Sequence, residues 1–85
     1  MSDLNKLPNI GKALERRLID AGVMDSEMLM LLGSREAFLR LRLLEGDTCY
    51  NTLCALEGAV KGIRWHDLSL EDREGLHDYY QSLAG

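Results

Sequence analysis

Residues 7–12 of the chain read LPNIGK, and this stretch sets the course of the polypeptide that follows it. Pro8 fixes its own φ and disfavours a helical conformation at the residue before it, whereas Asn9 tolerates a left-handed conformation. Gly11 permits a backbone approach that any Cβ would obstruct. The stretch therefore predicts a sharp corner that releases the chain as a helix near Lys12, with the first amide groups of that helix facing outward.

The helix after this corner has one apolar face and one mixed face. At about 100° per residue, Lys12, Arg16 and Ile19 lie on one side of it. The opposite, buried face is formed by Leu14, Leu18 and Ala21. Amide groups at an exposed helix start can hold phosphates. The corner is thus either an anion-binding hairpin flanked by cations or an ordinary helix boundary whose cations are solvated.

The next two predicted helices are short and are separated by a glycine. Asp25 or Ser26 caps a second helix that Gly33 closes, and Ser34 caps a third helix over residues 35–45. The inward stripe of the third helix is predicted to contain Phe38, Leu39, Leu41, Leu43 and Leu44.

The fourth predicted helix is the candidate for the buried centre of the domain. It is capped by Asp47 or Thr48, and its apolar residues recur at steps of three and four. That seam consists of Leu53, Leu56, Val60 and Ile63. A fifth helix begins after Ser69, which forms a capping box with Asp72. Its inward face is predicted to contain Leu76, Tyr79, Tyr80 and Leu83.

No segment shows the alternation of apolar and polar residues that is typical of strands. The sequence therefore predicts an all-α fold, a compact bundle of five short helices with a helix-hairpin-helix-like start. Residues 1–6 are interpreted as an N-terminal tail and residues 7–85 as a single domain.

The charge of the chain disfavours strong binding to DNA. The formal net charge is −4, and residues 66–85 alone contribute −4, from five acidic side chains and Arg73. Proteins that bind DNA tightly usually present a basic face, because phosphate neutralisation supplies most of their affinity. The cations near the corner form at best a small basic patch on an acidic body.

Motifs for chemistry are missing from the sequence. His66 and His77 do not combine with Cys49 and Cys54 at a zinc spacing, and no phosphate loop or nucleophile motif occurs. We therefore expect no enzymatic activity, no catalytic residue, no metal, no cofactor and no small-molecule substrate. The apolar run at 28–32 is too short to cross a membrane and no signal peptide is recognisable, so a cytoplasmic protein with reduced thiols is expected.

The order of these features over residues 7–83 resembles the C-terminal domain of the TfoX/Sxy family of bacterial competence regulators. The first half of the resemblance lies in the corner LPNIG, in Leu18 with the AGV at 21–23, in the LLG at 31–33 and in Ala37, Phe38 and Leu41. The second half lies in Leu53, in the ALEGA at 55–59 and in the GIRW at 62–65.

The resemblance implies a helical domain related to helix-hairpin-helix folds that takes part in regulating competence and DNA-uptake genes. Two modes of action remain open. In the first, the domain docks on a regulatory or DNA-handling protein through a patch that includes Ile19 or Met30. In the second, it binds DNA weakly and without sequence preference through the corner. The residues predicted for that DNA contact are Asn9, Gly11, Lys12, Arg16 and Arg17.

Overall fold

The computed structural model describes residues 2–46 and 48–84. In chain order these form a 3-10 turn (Leu4–Lys6), helix α1 (Lys12–Asp20), helix α2 (Ser26–Glu45), helix α3 (Tyr50–Lys61), a second 3-10 turn (Trp65–Asp67) and helix α4 (Leu70–Ala84). None of these residues belongs to a strand, so the predicted all-α class is confirmed. No helix among them is long and apolar enough to cross a membrane.

The structure joins the predicted second and third helices into α2, so the described residues form four α-helices and the predicted number of five is wrong. Gly33 interrupts α2 with φ 78° and ψ 168°, a backbone conformation that glycine adopts readily. Helical structure resumes at once after this residue. The residue with non-helical dihedral angles at this break is Gly33 and not Ser34. The predicted cap at Ser34 is wrong: among the described residues no helix amide donates to its hydroxyl, which itself donates to Glu57 of α3 at 2.6 Å.

Two predicted helix caps are present in the structure. The side chain of Asp25 accepts a hydrogen bond from the amide of Met28 at 2.9 Å and so caps α2. Ser69 Oγ accepts from the amide of Asp72 at 3.0 Å at the start of α4. The carboxylate of Asp72 accepts a hydrogen bond from Lys61 Nζ at 2.9 Å, which ties α4 to the end of α3.

The start of α3 differs from the prediction. Its capping residue is Cys49, which makes no side-chain hydrogen bond to the helix amides as a cap, and Thr48 lies one residue earlier as a buried side chain. The prediction that Thr48 caps this helix is therefore wrong. The alternative cap, Asp47, lies outside the described residues.

Helix α3 is the centre of the fold, as predicted. It packs against α2, α4 and the second 3-10 turn. Leu53 and Leu56 are fully buried, whereas Val60 and Ile63 of the predicted seam are half-buried and pack against the edge of the core. The fully buried large side chains of the whole core are Leu4, Leu18, Val23, Leu29, Phe38, Leu41, Leu53, Leu56 and Leu76.

The end of α2 is more exposed than its sequence predicts. Leu41 is buried, but Leu43 and Leu44 have 78% and 54% of their surface exposed, so their predicted inward orientation is wrong. Two residues further along a helix correspond to a rotation of about 200°, which places Leu43 opposite Leu41. Leu44 lies about 120° from Phe38 and falls outside the stripe that packs on α3.

Candidate functional site

The corner predicted at 7–12 is present and joins the first 3-10 turn to α1. The amide of Leu7 donates to the carbonyl of Leu4 at 3.0 Å, and the amide of Ile10 donates to the carbonyl of Leu7 at 3.4 Å. Ile10 and Leu4 are buried beneath the corner. The element before the corner is a 3-10 turn and not an α-helix, so the likeness to a helix-hairpin-helix motif stays a prediction.

Asn9 holds the corner against the end of α3 and the segment that follows it. Its φ is 69°, the left-handed region that asparagine tolerates. Its Nδ2 donates to the carbonyl of Ile63 at 2.9 Å and to that of Ala55 at 3.4 Å, and its Oδ1 accepts from the amide of Trp65 at 3.1 Å. The side chain predicted to contact phosphate is therefore committed to hydrogen bonds within the chain.

Gly11 does not have the role that its sequence context predicts. A Cβ at this position would have no neighbour within 4 Å, and its φ is −89°, so the expected close backbone approach at Gly11 is wrong. The close approach occurs instead at Gly58 of α3, where a Cβ would clash with Asn9 Nδ2 and lie 2.8 Å from the carbonyl oxygen of Ile63. The small residue that the corner requires is therefore Gly58 of α3, against which the side chain of Asn9 packs.

The start of α1 is open to solvent. Gly11 and Lys12 are exposed, and no side chain caps the helix. The first backbone hydrogen bond of α1 runs from the amide of Glu15 to the carbonyl of Gly11 at 2.9 Å. The amide groups of residues 12–14 precede this bond and have no acceptor among residues 2–46 and 48–84. Such groups favour an anionic partner.

A cleft of about 550 Å³ lies beside this helix start. It brings together three residues that the sequence predicts for ligand contact, Lys12, Arg16 and Ile19, and adds Lys6, which the prediction did not include. We call it the cationic cleft, and its lining consists of Ser2, Asp3, Asn5, Lys6, Lys12, Glu15, Arg16 and Ile19.

The acidic side chains of the cationic cleft are engaged within the protein. Asp3 accepts hydrogen bonds from the hydroxyl of Ser26 at 2.6 Å and from its amide at 2.8 Å, and these bonds hold the pKa of Asp3 below its ordinary value. Glu15 accepts from the amide of Asn5 at 3.3 Å. These bonds come from uncharged donors and do not neutralise the two carboxylates, so the cleft lining combines three cationic side chains with two acidic ones that are held in place.

The cations of the cleft differ in how firmly they are held. Arg16 forms an ion pair with Asp20 at 3.2 Å, but 79% of its side chain is exposed. Within residues 2–46 and 48–84, neither Lys6 nor Lys12 forms an ion pair. A solvent-exposed ion pair contributes little to stability, so Arg16 can leave Asp20 at a small cost in free energy. Lys6 and Lys12 have no ion pair to break among the described residues. All three side chains can therefore reorient toward a ligand.

Arg17 is not one of the cations that line the cationic cleft. Its guanidinium forms a bidentate pair with Glu45 at the end of α2, with Nη2–Oε1 and Nε–Oε2 distances of 2.8 and 3.0 Å. The pair lowers the pKa of Glu45 and raises that of Arg17 through their hydrogen bonds. Arg17 thus fastens α1 to α2 and lies outside the residues that line the cationic cleft.

Met30, the second residue predicted for partner contact, lies on α2 and also lies outside the cationic cleft. Its side chain is 43% exposed, whereas the adjacent Leu29 is fully buried in the core. The structure therefore separates Ile19 from Met30, and only Ile19 shares a surface with Lys12 and Arg16.

The other side of the corner carries one more cation that the sequence prediction omitted. Arg64 and Trp65 line a shallow cleft of about 360 Å³ together with Asn9 and Leu14. Arg64 comes to the corner because Asn9 binds the backbone on both sides of it, at Ile63 and Trp65. No local sequence signal predicts this pairing, since Asn9 is 54 residues from Ile63 and 56 residues from Trp65 in the chain.

Within residues 2–46 and 48–84, no three His, Cys, Asp or Glu side chains are grouped closely enough to hold a metal ion. Cys49 is exposed and Cys54 is buried, and both are free thiols. Hydrogen bonding from Thr52 lowers the pKa of the Cys49 thiol.

The sequence and the structure are both similar to those of known proteins. The family model for the TfoX C-terminal domain matches residues 1–80. The chain is 35% identical over 81 residues to protein Sxy of Escherichia coli (strain K12), an alignment that covers 95% of this chain and 39% of Sxy. The chain thus spans about two fifths of the length of that relative.

Two crystal structures of proteins from Listeria monocytogenes have the same fold. The triclinic form, described as an uncharacterized protein, has a TM-score of 0.94 at 49% identity and covers 96% of this chain and 93% of that chain. The tetragonal form, described as a protein of unknown function, has a TM-score of 0.91 at 48% identity and covers 93% and 98% of the two chains.

Proposed function

Because this chain belongs to the TfoX C-terminal domain family, we propose that it is a non-enzymatic regulatory module that acts in competence regulation by docking on another protein. The observation that supports this proposal best is the cationic cleft, whose lining includes Lys6, Lys12 and Arg16 together with the partly buried Ile19. A lining that combines cations with an apolar side chain fits an acidic segment of a regulatory or DNA-handling protein.

The composition of the cleft favours a protein partner over a long nucleic acid. The chain as a whole carries a net charge of −4, which repels a polyanion at distances beyond the cleft. A short acidic segment needs only the local cations and gains apolar contact with Ile19 as well. Protein interfaces combine an apolar centre with a polar rim in this way.

Zero-length carbodiimide coupling of the full chain tests this mode of binding. The reagent joins lysine amines to carboxylates, and the chain has three lysines, of which Lys6 and Lys12 line the cleft and Lys61 does not. After incubation with lysate of the bacterium that encodes the chain, we expect one protein coupled through Lys6 or Lys12. Coupling through Lys61 alone would contradict the proposed surface.

Charge reversal provides the matched control for this experiment. The combination of Lys12→Glu with Arg16→Glu is expected to abolish recovery of the coupled protein. Arg35→Glu reverses an exposed cation on α2 outside the cleft and is expected to leave recovery unchanged. Equal loss in both variants would show a general effect of charge and would count against docking in the cleft.

A second function, weak and sequence-independent DNA binding, is favoured by one specific observation. The amide groups of residues 12–14 at the start of α1 have no acceptor among the described residues, Lys12 lines the cationic cleft, and Arg64 lines the cleft that contains Asn9 and Leu14. Backbone amides at a helix start together with flanking cations suit a phosphate. The contact would come from the backbone of the corner, since the Asn9 side chain is already hydrogen-bonded.

A mobility-shift titration with duplex DNA tests this second function. If about three cations contact phosphates, the logarithm of affinity should fall with the logarithm of salt concentration at a slope of about −3. Lys12→Glu should weaken the complex further, whereas Arg35→Glu should have a smaller effect. A titration that shows no complex at low salt would exclude direct DNA binding.

A further inference from the structure

Another concave surface lies where the end of α1 meets the end of α2. We call it the leucine groove; it is an open depression of about 400 Å³ lined by Asp20, Ala21, Arg40, Leu43 and Leu44. It shares no lining residue with the cationic cleft, but Asp20 of the groove is the ion-pair partner of Arg16 of the cleft.

The groove is apolar along its exposed wall. Leu43 and Leu44 leave 78% and 54% of their surfaces in water. A single exposed leucine is common on protein surfaces, but neighbouring leucines on the wall of a concavity form a patch of the kind that partners cover. Ala21 adds a small side chain that leaves room for an incoming apolar group.

The leucine groove carries one acidic and one basic side chain, and each of them forms only a solvent-exposed ion pair. Asp20 pairs with Arg16 at 3.2 Å, and Arg40 pairs with Glu36 at 3.5 Å, both within one helix and with all four side chains more than a third exposed. Exposed pairs of this kind contribute little. Asp20 and Arg40 can therefore exchange these partners for groups on another molecule.

We propose that the leucine groove is the interface for a second copy of this chain, arranged with two-fold symmetry. A two-fold axis brings identical patches together, so that each residue meets its complement on the other copy. Leu43 and Leu44 would pack on their counterparts, and Asp20 of each copy would lie opposite Arg40 of the other. A strongly acidic or strongly basic ligand would instead meet a like charge at one of these two residues.

Sedimentation equilibrium of the full chain over a range of concentrations tests the apolar part of this interface. Self-association is expected, and Leu43→Ser combined with Leu44→Ser should raise the dimer Kd by at least about tenfold. Leu31→Ser is the matched control, because Leu31 is 82% exposed on α2 but does not line the groove. Circular dichroism establishes that each variant keeps its helices.

Charge exchange tests the pairing of Asp20 with Arg40. Asp20→Arg and Arg40→Asp should each weaken self-association, because both contacts of the dimer then join like charges. Mixing the two variants should restore association as a heterodimer, since every contact again joins opposite charges. In such a mixture, a mass tag on one variant distinguishes the heterodimer from either homodimer.

Three results would overturn the proposal. One is a chain that stays monomeric up to about 1 mM, a concentration at which even weak association is detectable. Another is association that survives loss of both leucines or that is lost equally in Leu31→Ser. The third is a mixture of the two charge variants that remains monomeric.

Discussion

Gly58 lies so close to the side chain of Asn9 that a Cβ on residue 58 would clash with Asn9 Nδ2. The same Cβ would stand 2.8 Å from the carbonyl oxygen of Ile63, which accepts a hydrogen bond from that nitrogen. Glycine in a helix is unfavourable by about 1 kcal/mol relative to alanine. This unfavourable glycine is tolerated in α3 because the side chain of Asn9, in the corner before α1, packs directly against it.

The first prediction concerns this contact. Gly58→Ala should lower the free energy of unfolding by about 1–3 kcal/mol, because the new methyl group meets backbone atoms and an amide that are both held in place. Urea unfolding followed by circular dichroism measures the change. Gly75→Ala is the control within α4: its Cβ meets only the flexible end of Arg35, at 3.3 Å, so stability should rise by up to about 1 kcal/mol. Equal effects of the two substitutions would contradict this account.

The second prediction separates the two contributions of Asn9. Replacement by alanine removes its hydrogen bonds and also places at φ 69° a residue that tolerates the left-handed region less well than asparagine does. We expect Asn9→Ala to lower the free energy of unfolding by about 2–3 kcal/mol, since the carbonyl of Ile63 and the amide of Trp65 lose their partner. Asn9→Gly also lacks the hydrogen bonds but accepts the left-handed conformation, and should be less destabilising than Asn9→Ala by about 1 kcal/mol. An Asn9→Ala variant as stable as the parent would refute the structural role.

The third prediction follows from the pair between Arg17 and Glu45. The guanidinium holds the pKa of Glu45 below its ordinary value of 4.5. A group whose pKa is lower in the folded state stabilises the protein above its unfolded pKa and loses that contribution as the pH falls through the folded value. Stability from this pair should therefore be complete above pH 4.5 and decline below it.

Unfolding experiments on Glu45→Gln measure that contribution. Because the two side chains are 37% and 27% exposed, the difference from the parent at pH 7 should be below about 1 kcal/mol. It should vanish at the acidic end of the titration and shrink in high salt. A difference that grows as the pH falls would contradict the assignment.

The fourth prediction concerns the two thiols. Cys49 is exposed and its pKa is lowered by hydrogen bonding from Thr52, with Sγ and Oγ1 3.3 Å apart, whereas Cys54 is buried. Because the thiolate is the reactive form, an alkylating reagent should label Cys49 in the native protein and Cys54 only after unfolding. Peptide mass spectrometry identifies the labelled position. Thr52→Val should raise the pKa of Cys49 and slow its labelling near neutral pH; unchanged kinetics would show that Thr52 does not stabilise the thiolate.

The sequence by itself determined the helical class, the corner at 7–12, the cap at Ser69 and the burial of α3. It left Asp25 and Ser26 as alternative caps of α2, and the structure shows Asp25 in that role. These features depend on neighbouring residues: proline restricts the residue before it, short polar side chains bond to nearby amides, and apolar spacing repeats with the turn of a helix. For the same reason the sequence placed Lys12, Arg16 and Ile19 on one side of α1, where the structure finds them lining one cleft.

Only the tertiary structure decided which side chains remain available at that surface. Helical spacing leaves both Arg16 and Arg17 facing outward, but Glu45 from α2 engages Arg17 and leaves Arg16 at the cleft. The side chain of Asn9 is hydrogen-bonded to the backbone of Ile63 and Trp65. Leu43 and Leu44 are exposed because none of the described helices packs over them. Each outcome depends on residues distant in the chain, and local spacing does not specify how the helices pack against one another.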